Sequence, residues 1–404
     1  MNRNLNRLGF LLCLVIGLST IAPSGAADEN LRPEIGKPLK AAQALISAQK
    51  YREALAKVAE VDSIPNQTAA EHLIIERMRG SVALAAGDIE IAARAFEAVI
   101  ATNKLSQEEN AKLMQALSGA YYRSGTYAKA AVWAQRYLDI GGDDPNTGQL
   151  LIQAEYLGGN YTKAAQALQT RFSADRKAGR KPAEDQLRLL AGCYQKLGDN
   201  SGYVSALEML VADYPKADYW RDLVTRVQRQ PGFADRLTLD VYRLMRAVGI
   251  LQDASDYMEM AQLAIQAGFP TEAKAILEDG FKQRILGAGN DTERQLRLRD
   301  LAAKQSAADQ KVVAESTALT ADALINNGYN DVVNGRYDSG IELLKKGLSG
   351  SGAKRPEEAR LHLGLAYWIA GRKAEAASVL ATVQGTDGTG ALARLWNIYI
   401  AKAS

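Results

Sequence analysis

Apolar residues along this chain fall at helical spacing over long stretches, and short interruptions break them at regular intervals. Ala69–Ala86 is rich in helix formers and free of proline, Gly87-Asp88 interrupts it, and Ile89–Ile100 resumes the same period. The interruption reads roughly Gly-x-x-x-x-small. It recurs at Gly125–Ala130, Gly159–Ala164, Gly198–Tyr203, Gly268–Ala273, Gly335–Gly340 and Gly371–Ala376, with Tyr51–Ala54 as a first copy lacking the glycine. Successive glycines lie 38, 34 and 39 residues apart from Gly87 to Gly198, and 36 apart from Gly335 to Gly371. Gaps of 70 and 67 on either side of Gly268 each leave room for one degenerate unit. The pattern predicts an all-α chain, an α-solenoid of about ten helix-turn-helix repeats, two of them irregular.

The signature has a physical reading. Glycine at 87 tolerates the left-handed backbone that ends one helix and turns into the next. Ala92 keeps the second helix small where the two approach, and Phe96, four residues later, fills the seam on the same face. A matching notch on the first helix recurs as Gly80, Ser118, Ala191, Ala261, Gly328 and Gly364, and the seam residue as Phe96, Leu168, Leu207, Leu277, Leu344 and Leu380.

Together these residues resemble the tetratricopeptide repeat, a helix-turn-helix unit of about 34 residues, and the resemblance implies that the α-solenoid is right-handed. Departures from it are Tyr203 and Gly340 in place of the alanine, and Ile152 and Glu155 in the fourth unit. Ala217–Gly249 and Glu293–Glu315 read as irregular helix pairs, with Ile285–Thr292 a loop between repeats. The expected organisation is a main array over residues 27–283, including the irregular repeat at 217–249, an irregular helical connection over 284–316, and terminal repeats over 317–404.

The first residues read differently. Met1–Arg7 carries Arg3 and Arg7 and no acid, Leu8–Ala22 is apolar but short for a membrane span, and Pro23-Ser24-Gly25-Ala26 offers small residues. A signal peptide over residues 1–26, cleaved after Ala26, is expected, and with it export to the periplasm. No later stretch is apolar enough to span a membrane. Removing Arg3 and Arg7 lowers the formal charge of +3 to about +1, which leaves no global field for nucleic acid. Cleavage also removes Cys13, so Cys193 remains alone among Leu190, Ala191 and Tyr194 and reads as a small buried hydrophobe.

Candidate chemistry is sparse. His72 and His362 have no second His, Cys or acid at metal-ligand spacing, so no metal site is predicted. Gly287-Ala288-Gly289 and Gly385–Gly390 read as turns, without the Gly-Lys-Ser/Thr of a phosphate loop. Acid pairs at Asp143-Asp144 and Glu357-Glu358 border Pro145 and Pro356, where they complement helix N-termini. No catalytic residue and no cofactor are predicted.

In tetratricopeptide arrays the first helices of successive units line a concave groove. Phase from the turn glycine puts Lys112, Gln115, Tyr122 and Arg123 there, then Gln149, Gln153 and Tyr156, then Asp185, Arg188, Gln195 and Lys196. Amide, aromatic and basic groups in a row suit the backbone of an extended protein or peptide partner. Met258, Ile265, Ile325, Tyr329, Leu361 and Trp368 take the same positions further on, as an apolar docking surface or as positions covered by the irregular repeats.

A narrower resemblance lies in Lys181–Asp185 leading into Leu187–Tyr194, in Leu210–Trp220, Ala273–Gly280 and Lys354–Gly371, and in the closing Leu395–Tyr399. These segments resemble the periplasmic tetratricopeptide proteins of Gram-negative bacteria that accompany TonB–ExbB–ExbD systems. The resemblance implies a non-enzymatic scaffold accessory to energised outer-membrane uptake. An adaptor for envelope assembly or peptidoglycan is the alternative on the same groove.

Overall fold

The computed structural model describes residues 31–309 and 320–402. The leader expected over residues 1–26 lies outside the described residues. Among these there are twenty α-helices and no strand. Contacts divide the chain into two units, one ending at Ala164 and one beginning at Ala165.

Unit 1 holds α1 (Pro33–Ser47), α2 (Tyr51–Ala59), α3 (Ala69–Ala86), α4 (Ile89–Ala101), α5 (Gln107–Arg123), α6 (Tyr127–Asp139) and α7 (Pro145–Leu157); α8 (Tyr161–Lys177) begins in it. Helices α1 and α2, α3 and α4, and α5 and α6 pack as hairpins, and α7 packs on both α5 and α6. The starts of α3, α4, α5 and α7 are capped by side chains. Thr68 and Ser106 form capping boxes with Glu71 and Glu109, and the Asp144 carboxylate accepts from the Thr147 amide.

Unit 2 holds α9 (Glu184–Leu197), α10 (Asn200–Asp213), α11 (Ala217–Gln228), α12 (Thr238–Ala247), α13 (Ala254–Gln266), α14 (Pro270–Lys282), α15 (Thr292–Asp309), α16 (Ala321–Val333), α17 (Tyr337–Leu348), α18 (Pro356–Ile369), α19 (Lys373–Leu380) and α20 (Thr389–Ile400). Helices α11 and α12 form the irregular pair expected over 217–249. The pair expected over Glu293–Glu315 is not formed: residues up to Asp309 make one helix, α15, and 310–315 lie outside the described residues. The run from Thr292 to Asp309 contains neither glycine nor proline, so nothing in it turns the chain.

The turns follow one geometry. At Gly87, Gly125, Gly159, Gly198, Gly268, Gly335 and Gly371 φ lies between +67° and +85°. In each, the amide after the glycine donates to the carbonyl five residues back, as Asp88 N does to Ala83 O at 2.8 Å. The glycine-less first unit makes the same bond, Lys50 N to Leu45 O, with Gln49 at φ +60°. The predicted seam residues Phe96, Leu168, Leu207, Leu277, Leu344 and Leu380 are all buried, each contributing about 1.5–3 kcal/mol relative to exposure. Gly340, a departure from the alanine pattern, has a partner in Gly328. A Cβ on Gly328 would lie 2.6 Å from the Gly340 carbonyl oxygen, and one on Gly340 2.4 Å from the Gly328 carbonyl oxygen. Glycine on both sides brings the backbones of α16 and α17 into contact.

Candidate functional site

In unit 1 the positions predicted for a binding face lie on α5 and α7, which pack side by side. Lys112 and Arg123 are exposed, and Lys112 Nζ lies 2.6 Å from the carboxylate of Glu108, one turn back. Gln115, Tyr122, Gln149, Gln153 and Tyr156 are partly exposed. Three of these also join the two helices. Gln115 Nε2 donates to Asp144 Oδ2 at 2.8 Å and to Thr147 Oγ1 at 3.0 Å, and the Tyr122 hydroxyl donates to Gln153 Oε1 at 3.0 Å. The seam within each hairpin does not use them, but the next repeat does. Burial raises the Tyr122 phenol above its ordinary range, so it remains a donor at neutral pH.

In unit 2, Asp185, Arg188, Gln195 and Lys196 are exposed on α9. At the start of the same helix Glu184 pairs with Lys216 at 2.6 Å and accepts from the Tyr219 hydroxyl at 2.5 Å. Burial, followed by this carboxylate, pushes the Tyr219 phenol up to about 12. Cys193 is fully buried, and burial pushes its thiol up to about 11, in keeping with a small core residue.

The apolar docking surface expected further along is not open. Met258, Ile325, Tyr329 and Leu361 are buried, while Ile265 and Trp368 remain partly exposed. Part of the cover comes from the irregular pair and from α20. Helix α20 packs on α10, α12 and α18, and Trp368 meets Tyr399 edge-on at 5.3 Å. On α12, the Arg243 guanidinium lies 4.5 Å from the centre of the Tyr329 ring and 5.1 Å from that of Phe269.

Arg243 is also the hub of a buried charge network. Its Nε and Nη2 donate to the two carboxylate oxygens of Glu272 at 2.8 and 2.6 Å, and its Nη1 donates to Asp240 Oδ1 at 2.7 Å. His362 Nε2, from α18, lies 3.0 Å from the same Asp240 oxygen. Burial alone would raise the Asp240 carboxyl. The opposing pull of His362 and Arg243 wins and holds it well below the usual carboxylate range. Burial likewise works against the Arg243 cation, but Glu272, Tyr329 and Asp240 outweigh it. Nothing in local spacing announces this network, because His362 is 122 residues from Asp240. The closure continues at the surface. Arg236 pairs with Glu358 at 2.8 Å and with Asp387, and the Ala234 amide donates to the Asp387 carbonyl at 2.9 Å. Among the described residues no group of three or more His, Cys, Asp or Glu is placed to hold a metal ion, and no helix is long and apolar enough to cross a membrane.

Two stretches, residues 77–145 and 325–391, match the tetratricopeptide repeat family. The first runs from within α3 into the start of α7, and the second from α16 into α20. Those two stretches thus match tetratricopeptide repeats, in a chain whose described residues form helices and no strand. It is similar to a tetratricopeptide repeat protein from Parabacteroides merdae, at 12% identity over 82% of this chain and 98% of that one, with a TM-score of 0.30. It is also similar to the TPR2AB domain of yeast Sti1, solved in a pHSP90 complex, at 14% identity over 74% of this chain and 100% of that one, TM-score 0.24. Yeast Tom70 matches at 11% identity over 91% and 96% of the two chains, TM-score 0.20. Comparison with curated proteins gives no match.

Proposed function

We propose that this chain is a non-catalytic adaptor of the bacterial cell envelope that holds a protein or peptide partner on the first-helix face of unit 1, accessory to TonB-dependent outer-membrane uptake. One observation carries the choice of face. Lys112, Arg123, Gln149 and Tyr156 stay exposed or partly exposed on α5 and α7, whereas most of the equivalent apolar positions of α13, α16 and α18 are buried. The periplasmic location rests on the leader pattern of residues 1–26, and the uptake role on the resemblance of Leu210–Trp220 and Lys354–Gly371.

Copurification from the periplasm under mild crosslinking tests the reading. Recovery of TonB-system components by the wild-type chain, lost in Arg123→Glu with the helical signal unchanged, is the expected result. Failure to recover any specific partner, together with wild-type growth of a deletion strain on iron chelates, rejects it. Binding to isolated sacculi or to outer-membrane assembly components instead would assign the adaptor to envelope assembly.

A further inference from the structure

Four side chains meet inside unit 2 with charges that do not balance. Asp240, Arg243, Glu272 and His362 are each less than a tenth exposed. Two carboxylates face one guanidinium, so the group carries a net charge of minus one while the His362 ring is neutral, and none once it is an imidazolium. A net charge away from water is costly, and a second cation removes it.

The geometry sorts the charges into pairs. Arg243 meets both oxygens of Glu272 through Nε and Nη2, at 2.8 and 2.6 Å. Only its Nη1 reaches Asp240, at 2.7 Å, and the same Asp240 oxygen lies 3.0 Å from His362 Nε2. Arg243 thus matches Glu272, and His362 is the group placed to match Asp240. Two effects oppose a charged ring there: its burial, and Arg243 Nη1 at 3.4 Å from Nε2. Neither supplies the missing charge. Without the proton, Asp240 has only a share in one guanidinium.

The neighbouring helices offer no substitute among the described residues. On α16 the Tyr329 ring lies 5.1 Å from the His362 ring, and burial pushes its phenol up, so it stays neutral. On α18 itself, Glu358 is taken by Arg236 at 2.8 Å. Lys345 of α17 and Arg372, just before α19, face Tyr367 instead. Arg394, the one charged residue of α20, faces Glu208 at 3.5 Å.

We propose that His362 makes the closure of unit 2 proton-linked: as an imidazolium it holds α18 to α12 across Asp240, and giving up that proton loosens the contact. Histidine is the side chain whose ordinary range permits this near neutral pH. The closed form then keeps a proton that the unfolded chain releases at about pH 6.5. The stabilisation is therefore fully present below that value and is lost as pH rises above it. Tyr329, packed against both Arg243 and His362, is the covered ring that loosening would free.

The chain holds two histidines, and His72 is exposed on α3 of unit 1, so it serves as an internal reference. Ring-nitrogen NMR of the full chain labelled with ¹⁵N-histidine reads both charge states, and His72→Gln assigns the signals. Between about pH 5 and 9, His362 is expected to be still an imidazolium where His72 has become neutral. His362 turning neutral together with His72, or before it, overturns the proposal. Unfolding by denaturant then tests the link to closure. His362→Gln keeps a donor for Asp240 but cannot titrate. The wild type should lose stability from about pH 6 to 8, and His362→Gln should not. Parallel profiles of the two proteins would also overturn it. If His362→Gln does not fold, the wild-type ring signals decide alone.

Discussion

Units 1 and 2 are made from the same hairpin, yet α5 and α7 of unit 1 and α13, α16 and α18 of unit 2 treat its first-helix face in opposite ways. In unit 1 that face keeps polar and aromatic side chains at the surface and joins neighbouring helices by single hydrogen bonds such as Tyr122–Gln153. In unit 2, α9 keeps its polar positions exposed, but over α13, α16 and α18 most of the corresponding face is internal, with Tyr329 buried under Arg243 and Leu361 buried on α18, which packs on α20. A repeat array in which units touch only their neighbours adds stability unit by unit. Unit 2 departs from that rule, because α10 and α12 reach α20. The difference teaches that the repeat alone does not determine whether a groove stays available. Irregular segments decide it, here α11–α12 and the chain end.

The comparison breaks most sharply at Arg243. Arg243→Ala leaves Asp240 and Glu272 buried without their cation, and is expected to cost unit 2 about 3–5 kcal/mol. Denaturant unfolding followed by tryptophan fluorescence should show it, since Trp220, Trp368 and Trp396 lie in unit 2. A loss under 1 kcal/mol or so would mean that the network does not hold the closure. Gly328→Ala comes next. Its methyl group meets the Gly340 carbonyl, and overpacking of this kind costs about 1–3 kcal/mol. Gln115→Ala in unit 1 removes hydrogen bonds to Asp144 and Thr147 from a partly exposed site, and should cost only about 1 kcal/mol. A cost like that of Arg243→Ala would erase the proposed contrast.

Acid sharpens the same contrast. In unit 1, hydrogen bonds from the Arg32 side chain and the Thr68 amide hold Glu71 down to about 2. Because its folded value lies below the unfolded one, the stabilisation is complete above about pH 4.3 and is lost as pH falls towards 2. Glu71→Gln should flatten the dependence of unfolding free energy on pH in that window. An unchanged acid profile would show that the Arg32–Glu71 contact contributes nothing measurable. Asp240 follows the same sign in unit 2, since its carboxyl is also depressed.

Local features were legible in the residues. The turn glycines, the notch at Gly80 and Gly364 and the seam leucines each depend on neighbours within one repeat, so periodicity reveals them. The first-helix positions Gln115, Tyr122 and Gln153 were placed by phase, but their bonds to the next repeat need the register between α5 and α7. The meeting of Asp240, Arg243, Glu272 and His362 was invisible, because closure of a chain segment leaves no period. His362 looked partnerless for that reason: its nearest acid lies on another repeat.

That closure has a kinetic side. The contact of Arg236 with Asp387 spans 151 residues, whereas the hairpins of unit 1 close over a few dozen. Bringing distant ends together costs chain entropy before any contact offsets it, so such topologies form late and slowly. A growing chain emerges N-terminus first, so the hairpins of unit 1 can form while the segments that seal unit 2 are still unmade. Until α20 arrives, Arg243 and its partners wait without their roof. Helix α20, synthesised after the other helices of unit 2, thus acts as the timer for that unit.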